Sequence, residues 1–126
     1  MEGRKTHYID ALPSAVRTTS VNSADIQNRD CSGLLAVVDV TAFSGTAPTL
    51  TVTIKGKDRL SGKYFTLLAN AVLTGIGTTV LRVYPGLVAA ANLTVNDVVP
   101  SDWRVETVIG GTTPSFSYSI GLTLIP

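Results

Sequence analysis

Large apolar and small polar residues alternate with a period of two through most of this chain. The clearest example is residues 116–124, where five large residues alternate with serine, glycine and threonine. Successive side chains of a β-strand point to opposite faces, so this period places the large residues on one face of a strand. The same alternation over residues 49–55 predicts a second half-buried strand. Residues 34–42 carry one face that is apolar throughout, which predicts a central strand.

Shorter segments with similar patterns predict further strands at 15–21, 64–68, 78–84 and 103–109. Glycine and proline mark a turn at 44–48 and a hairpin loop at 110–114 that leads into the last strand. No internal repeat is apparent. Seven or eight short strands separated by turns predict an all-β fold, either an antiparallel, jelly-roll-like β-sandwich or a small barrel, and we favour the sandwich.

The first residues of the chain lack this periodicity. Residues 1–13 mix charged and aromatic side chains and end at a proline, which predicts an extended N-terminal arm. Residues 14–126 have the size of one ordinary domain and are expected to form the β-sandwich.

Composition supports the all-β prediction. The chain has 17 Thr, 15 Val and 7 Ile but only 2 Glu, 1 Gln and 1 Met. β-Branched residues pack well on a pleated sheet, whereas the rare residues are good helix formers. Charged residues make up 15% of the chain, against roughly 25% in an average soluble domain. An outside with so little charge suits a protein that packs against other proteins.

The net charge, the N-terminal residues and the uncharged stretches limit the partners and the location that we expect. A formal net charge of +1 gives no global field that would attract nucleic acid or an anionic membrane. The basic residues at the N-terminus have no apolar run behind them, so we expect no signal peptide and synthesis in the cytoplasm. The uncharged stretches are interrupted and strand-like, so no membrane helix is expected.

Residues suited to catalysis or metal binding are scarce. The chain has one histidine, His7, in the expected arm, and one cysteine, Cys31, which excludes an internal disulfide. A catalytic dyad needs a histidine fixed beside its nucleophile, and one His with one Cys cannot form a zinc site. Oxygen atoms of Asp25, Asn28 and Asp30 could bind calcium, but their spacing matches no dedicated loop. We therefore predict a non-enzymatic protein with no cofactor.

One segment concentrates positive charge. Lys55, Lys57, Arg59 and Lys63, called the basic cluster below, are four of the ten basic residues, and within the segment only Asp58 opposes them. The cluster is either a solvated loop that keeps two apolar strands soluble or a docking patch for an acidic protein surface.

Aromatic residues raise an alternative function. An exposed tryptophan or tyrosine can stack on a sugar, so Trp103, Tyr64 or Tyr84 could form part of a carbohydrate-binding site. Trp103 and Val105 lie on the same face of an expected strand, which favours a core position for Trp103 instead.

A series of short motifs resembles a known family. The segments are DVTA (39–42), TVTIKGKD (51–58), SGKYFTLL (61–68), GTTVLRVYPGL (77–87), NDVVP (96–100) and WRV (103–105). Together they resemble a family of small virion structural proteins of tailed bacteriophages, over roughly residues 33 to 125. The resemblance implies the phage particle as the location, and it supplies no catalytic residues.

Within that particle, a small all-β protein with an arm looks most like a capsid decoration, or cement, protein. Such a protein binds the outer surface of the major capsid protein shell as a homo-oligomer, for which we favour a trimer over a dimer. We expect the arm residues Arg4, Lys5, His7, Tyr8 and Ile9 to bind the capsid or a neighbouring subunit, and the basic cluster to bind acidic capsid surface. The rival interpretations are a carbohydrate-binding module on a fibre or capsid and a tail or connector component.

Overall fold

A computed structural model describes residues 7–28 and 31–126 of the chain. The described residues form β-strands and no helix, which confirms the all-β prediction. The seven strands are β1 (His7–Arg17), β2 (Ile26–Gln27), β3 (Gly33–Lys57), β4 (Tyr64–Ala69), β5 (Gly77–Val83), β6 (Thr94–Val95) and β7 (Asp102–Ile125).

A long antiparallel ribbon made of β3 and β7 organises the fold. The two strands have 25 and 24 residues and pair from Gly33 opposite Ile125 to Gly56 opposite Trp103. β1 and β2 pair with β7, whereas β4 and β5 pair with β3. β6 then adds to β5 in parallel, which makes the sheet mixed.

The ribbon folds back on itself. The Tyr118 hydroxyl lies 3.3 Å from the Thr107 hydroxyl oxygen, although both residues belong to β7. Eleven residues of straight strand would separate their backbones by about 36 Å, so the strand must bend sharply between them. The two halves of the ribbon therefore face each other across a shared core, consistent with a β-sandwich.

The bend divides the sandwich into two layers. The first layer consists of residues 33–44 of β3 and 115–125 of β7, flanked by β1 on one side and by β5 and β6 on the other. The second layer consists of residues 49–57 of β3 and 102–110 of β7, flanked by β2 and β4. Both layers send alternate side chains into one core cluster.

The core consists of the residues whose alternation predicted strands. In the ribbon, the fully or almost fully buried apolar residues are Leu34, Ala36, Val38, Val40, Leu50, Val52, Ile54, Trp103, Val105, Phe116, Tyr118, Ile120, Leu122 and Leu124. Burial of each large aliphatic side chain contributes about 1.5–3 kcal/mol. The hydrophobic effect therefore fixes which face of each strand points inward.

The predicted turn at 44–48 and hairpin loop at 110–114 are wrong, because both strands continue through these segments. A hairpin with this loop would pair Ile109 with Ser115, but Ile109 pairs with Leu50 and Ser115 pairs with Ser44. The two glycine- and proline-containing segments instead pair with each other at the bend of the ribbon.

The two bend segments form an approximate internal repeat, so the prediction of no repeat is wrong. Residues 45–48 read GTAP and residues 111–114 read GTTP, and alternating strands follow both, as TLTVTI and SFSYSI. Thr46 pairs with Thr112 at the centre, and the flanking pairs are arranged symmetrically around them. A local two-fold axis therefore relates the two strands of the ribbon at its bend.

The structure also changes the boundary of the expected arm. Residues 7–13 belong to β1, which pairs with the last part of β7 from His7 opposite Leu124 onward. Leu12 is buried in the core. Backbone pairing and this buried side chain anchor the segment, although its sequence has no clean alternation. Residues 1–6 lie outside the described residues, so for them the arm stays a prediction.

Candidate partner-binding surface

The basic cluster lies on the second layer, but three of its four charges have partners within the chain. Lys55 lies 3.5 Å from Glu106, Lys57 lies 2.8 Å from Asp25, and Arg59 forms an ion pair with Asp102. Within the sequence segment only Asp58 opposes the cluster, because Asp25, Asp102 and Glu106 are distant in sequence. The cluster is therefore part of a mixed-charge network on a sheet face, and its net attraction for an acidic partner is small.

Tyr64 and Arg104 hold this network together. The Arg104 guanidinium carbon lies 3.8 Å from the centre of the Tyr64 ring, and its terminal nitrogen lies 2.6 Å from Glu106. The Tyr64 hydroxyl donates a 2.6 Å hydrogen bond to Asp25. These contacts connect β4, β7 and the segment before β2. The sequence held one sign that Arg104 and Glu106 belong to this surface. They alternate along the strand with Trp103 and Val105, so they face outward when those residues are buried.

The ion pairs change the acidity of the carboxyl groups. The Lys57 ammonium and the Tyr64 hydroxyl, both hydrogen-bonded to Asp25, hold the pKa of that carboxyl below its ordinary value. Arg59 lowers the pKa of Asp102 in the same way. Because Asp25 and Arg59 are exposed to solvent, the resulting stabilisation is screened and modest.

This arrangement predicts an acid-sensitive contribution to stability from Asp25. A carboxyl group with a lowered pKa in the folded state stabilises the fold above its unfolded pKa, and this contribution is lost as the pH falls through the folded value. We expect Asp25→Asn to lower the melting temperature slightly at pH 7. Well below the ordinary value of 3.8, the variant and the original protein should melt alike.

The matched control is Asp97→Asn, which removes an exposed carboxylate that forms no ion pair among the described residues. Thermal unfolding followed by circular dichroism at neutral and acid pH makes the comparison. A deficit in Asp25→Asn that persists undiminished in acid would contradict the ion-pair explanation.

The remaining predicted site residues are dispersed. Lys63, in the loop between β3 and β4, is exposed and takes part in none of the ion pairs of the described residues. Tyr8 is 71% exposed on the outside of the first layer. Ile9 is partly buried against the core. Only the backbone position of His7 is described, and Arg4 and Lys5 lie outside the described residues. The structure therefore does not bring the arm residues and the basic cluster into one described site.

A depression of about 250 Å³ opens on the outer face of the first layer. Its lining residues come from β1, β3 and β7 and are Tyr8, Val37, Asp39, Ser119, Gly121 and Thr123. A methyl group built on Gly121 would lie 2.9 Å from the Tyr8 hydroxyl, so the missing side chain lets the tyrosine lie across the strand. Tyr8 was predicted to lie in the arm, and nothing in the sequence pattern associates it with these residues.

The aromatic residues considered for sugar binding are occupied elsewhere. Trp103 is 0% exposed and lies in the core, as its alternation predicted, so it cannot stack on a sugar. Tyr64 carries the Arg104 guanidinium on its ring, and the Tyr84 hydroxyl donates to the Pro126 carbonyl at 2.7 Å.

The candidate calcium ligands do not form a described site. Asp30 lies outside the described residues, and the Asn28 side chain bonds the backbone of Cys31 and Val99. Within residues 7–28 and 31–126, no group of three His, Cys, Asp or Glu side chains is placed to hold a metal ion. In the same part of the chain, no helix is long and apolar enough to cross a membrane.

Comparison with known proteins shows similarity at the level of the fold. No protein-family model matches the chain, and no curated protein does so either. A chain in the structure of infectious bursal disease virus Gx strain matches 95% of this chain at 15% identity, with a TM-score of 0.52. A chain in the Gt strain structure matches 96% at 15% identity, with a TM-score of 0.47. This chain spans about a third of those chains, 32% and 33%. The Gx match shows a shared β fold.

Proposed function

We propose that this chain is a non-enzymatic virion structural protein that binds the outer surface of an assembled capsid and stabilises it. The observation that carries the proposal is the fold: almost the whole chain matches part of a chain from a virus structure. The finer assignments, a decoration role and a tailed-phage particle, come from the sequence resemblance alone.

The architecture is suited to this role. A ribbon folded into two layers around one core forms a rigid body whose outer faces are available for contacts. Lys55, Lys57, Arg59 and Arg104 are held by ion pairs, so the outer face of the second layer has limited freedom to rearrange. A surface that is already ordered loses little conformational entropy when it binds a partner.

Stabilisation of a shell would work by mass action. A protein that binds only the closed lattice makes the opening of each site costlier by about 1.4 kcal/mol for every tenfold excess of its concentration over the dissociation constant. Many copies on one shell multiply a modest contact.

The test uses purified shells assembled with and without the protein. We expect bound shells to release their contents at a higher temperature and to survive lower salt than bare shells. Equal stability, or failure of the protein to sediment with shells, would reject the clamping role.

Electron microscopy of the whole particle separates the proposal from its structural rival. Density distributed over the shell supports decoration, whereas a closed ring at one vertex or along the tail indicates a tail or connector component. Absence of the protein from intact particles would reject both.

A further inference from the structure

The loop between β3 and β4 presents a leucine to solvent on a rigid support. Leu60 is 96% exposed. In the same loop, the Asp58 carboxylate accepts a 2.8 Å hydrogen bond from the Ser61 hydroxyl, and the Gly62 amide donates to the Asp58 carbonyl at 2.8 Å. The Asp58 amide closes the loop by donating to the Lys63 carbonyl at 2.9 Å.

This order has a physical consequence for binding. An exposed leucine on a mobile loop would lose conformational entropy on docking, but the hydrogen bonds around Asp58 have already fixed this loop. The ion pair between Arg59 and Asp102 further anchors the loop to β7. Leu60 and Lys63, three residues apart in this loop, are called the knob below. Lys63 forms no ion pair among the described residues, and the Asp58 carboxylate is taken up by hydrogen bonds within the loop.

The depression on the first layer has the complementary chemistry. Its lining combines the apolar Val37 with the carboxylate Asp39. Asp10 pairs with Gly121 on the neighbouring strand and is exposed. Neither carboxylate takes part in an ion pair among the described residues; Asp39 accepts a single 3.0 Å hydrogen bond from Thr78.

Charge favours the knob as the occupant, and the depression has room for it. The depression measures about 250 Å³, more than the cavity of about 150 Å³ that removal of a core leucine side chain leaves. Lys63 would meet carboxylates, and opposite charges at close range favour the correct register. The cation Arg82 lies on the same face but opposite Leu35, two strands away from Gly121.

The geometry points to a second copy of this chain as the partner, with the knob of one copy docked in the depression of the next. The two surfaces differ and lie on different layers, so the contact is head-to-tail. A pair of copies therefore keeps one free knob, on one copy, and one free depression, on the other. Such a contact closes into a ring when the rotation between copies allows it. The inference goes beyond the proposed function, because self-association rests on the geometry of the isolated chain and does not require a shell.

The experiment combines two variants that each lack one surface. Leu60→Asp removes the apolar knob, and Asp39→Lys places a cation in the depression opposite Lys63. Each alone should weaken self-association roughly ten- to hundredfold, as expected from loss of one buried leucine or of charge complementarity. Light scattering coupled to size exclusion should then report monomers for each variant and an oligomer for the original chain.

Mixing the two variants is the decisive step. The intact depression of Leu60→Asp should accept the intact knob of Asp39→Lys, giving a one-to-one dimer that cannot grow further. Exchange of charge in one chain, Lys63→Asp with Asp39→Lys, should restore the oligomer. Val88→Asp is the matched control, because it replaces another highly exposed apolar side chain, 90% exposed, outside both surfaces. It should leave self-association unchanged.

Several outcomes would overturn the inference. These are a monomeric original chain at high concentration, variants that remain oligomeric, a mixture that stays monomeric, and an equal effect of Val88→Asp. If Asp39→Lys fails to fold, Ser119→Arg fills the same depression and replaces it in the mixture. No shells are present in this experiment, so its failure would reject the contact between copies but not the proposed function. Sedimentation with shells tests the proposed function separately.

Discussion

Replacement of Gly45 or Gly111 by alanine is expected to lower the free energy of unfolding by about 2–5 kcal/mol. Both glycines have a φ of 111°, a conformation that residues with a side chain rarely adopt. A β-carbon at Gly45 would lie 2.7 Å from the Thr113 carbonyl oxygen, and one at Gly111 would lie 2.7 Å from that of Ala47. Each substitution therefore adds backbone strain and a steric clash at the bend of the ribbon.

Gly62→Ala separates these two causes. Gly62 also has a positive φ, 73°, but nothing lies within 4 Å of a β-carbon built there. We expect this variant to cost only about 1 kcal/mol, because backbone strain is its sole penalty. Chemical denaturation of the three single variants provides the measurement. Equal losses at all three positions would mean that close packing at the bend contributes nothing.

Trp103→Ala should destabilise the protein by about 3–5 kcal/mol, a large share of the roughly 5–15 kcal/mol that holds a typical domain folded. The side chain is 0% exposed and is among the largest buried ones, in a strand whose neighbouring inward residue is Val105. Alanine would leave a cavity where the second layer meets the core. The measurement is chemical or thermal unfolding.

Trp103→Phe is the matched variant for this position. The Trp103 ring nitrogen has no hydrogen-bond partner among the described residues, so phenylalanine sacrifices volume but no hydrogen bond. We expect a cost of about 1–2 kcal/mol. A Trp103→Ala protein that kept its stability while losing sugar binding on a glycan array would contradict the core assignment and favour the carbohydrate-binding alternative.

Alternation predicted the strands well where one face is buried and the other is not. Residues 49–55 and 116–124 lie within β3 and β7, and their large residues point into the core as expected. The prediction failed at the two bend segments, because glycine and proline mark sharp changes of direction whether or not strand pairing continues through them. Only the partner strand distinguishes a hairpin from a bent ribbon.

The candidate site was less predictable than the fold. The basic cluster was identified correctly as a run of cations, but its partners Asp25, Asp102 and Glu106 come from β7 and from the segment before β2. Sequence spacing gives no distance between such residues. The depression that includes Tyr8 was likewise invisible, because it is assembled from three strands.

The all-β class and the side chains that face the core could be predicted from the sequence, since both follow from a local, period-two pattern of hydrophobic burial. The tertiary structure alone decided that two long strands form one folded ribbon, that β1 includes residues expected to be an arm, and which charges neutralise each other. Those features depend on contacts between distant segments, such as Lys57 with Asp25. Such contacts stabilise the protein only after folding has brought the two segments together.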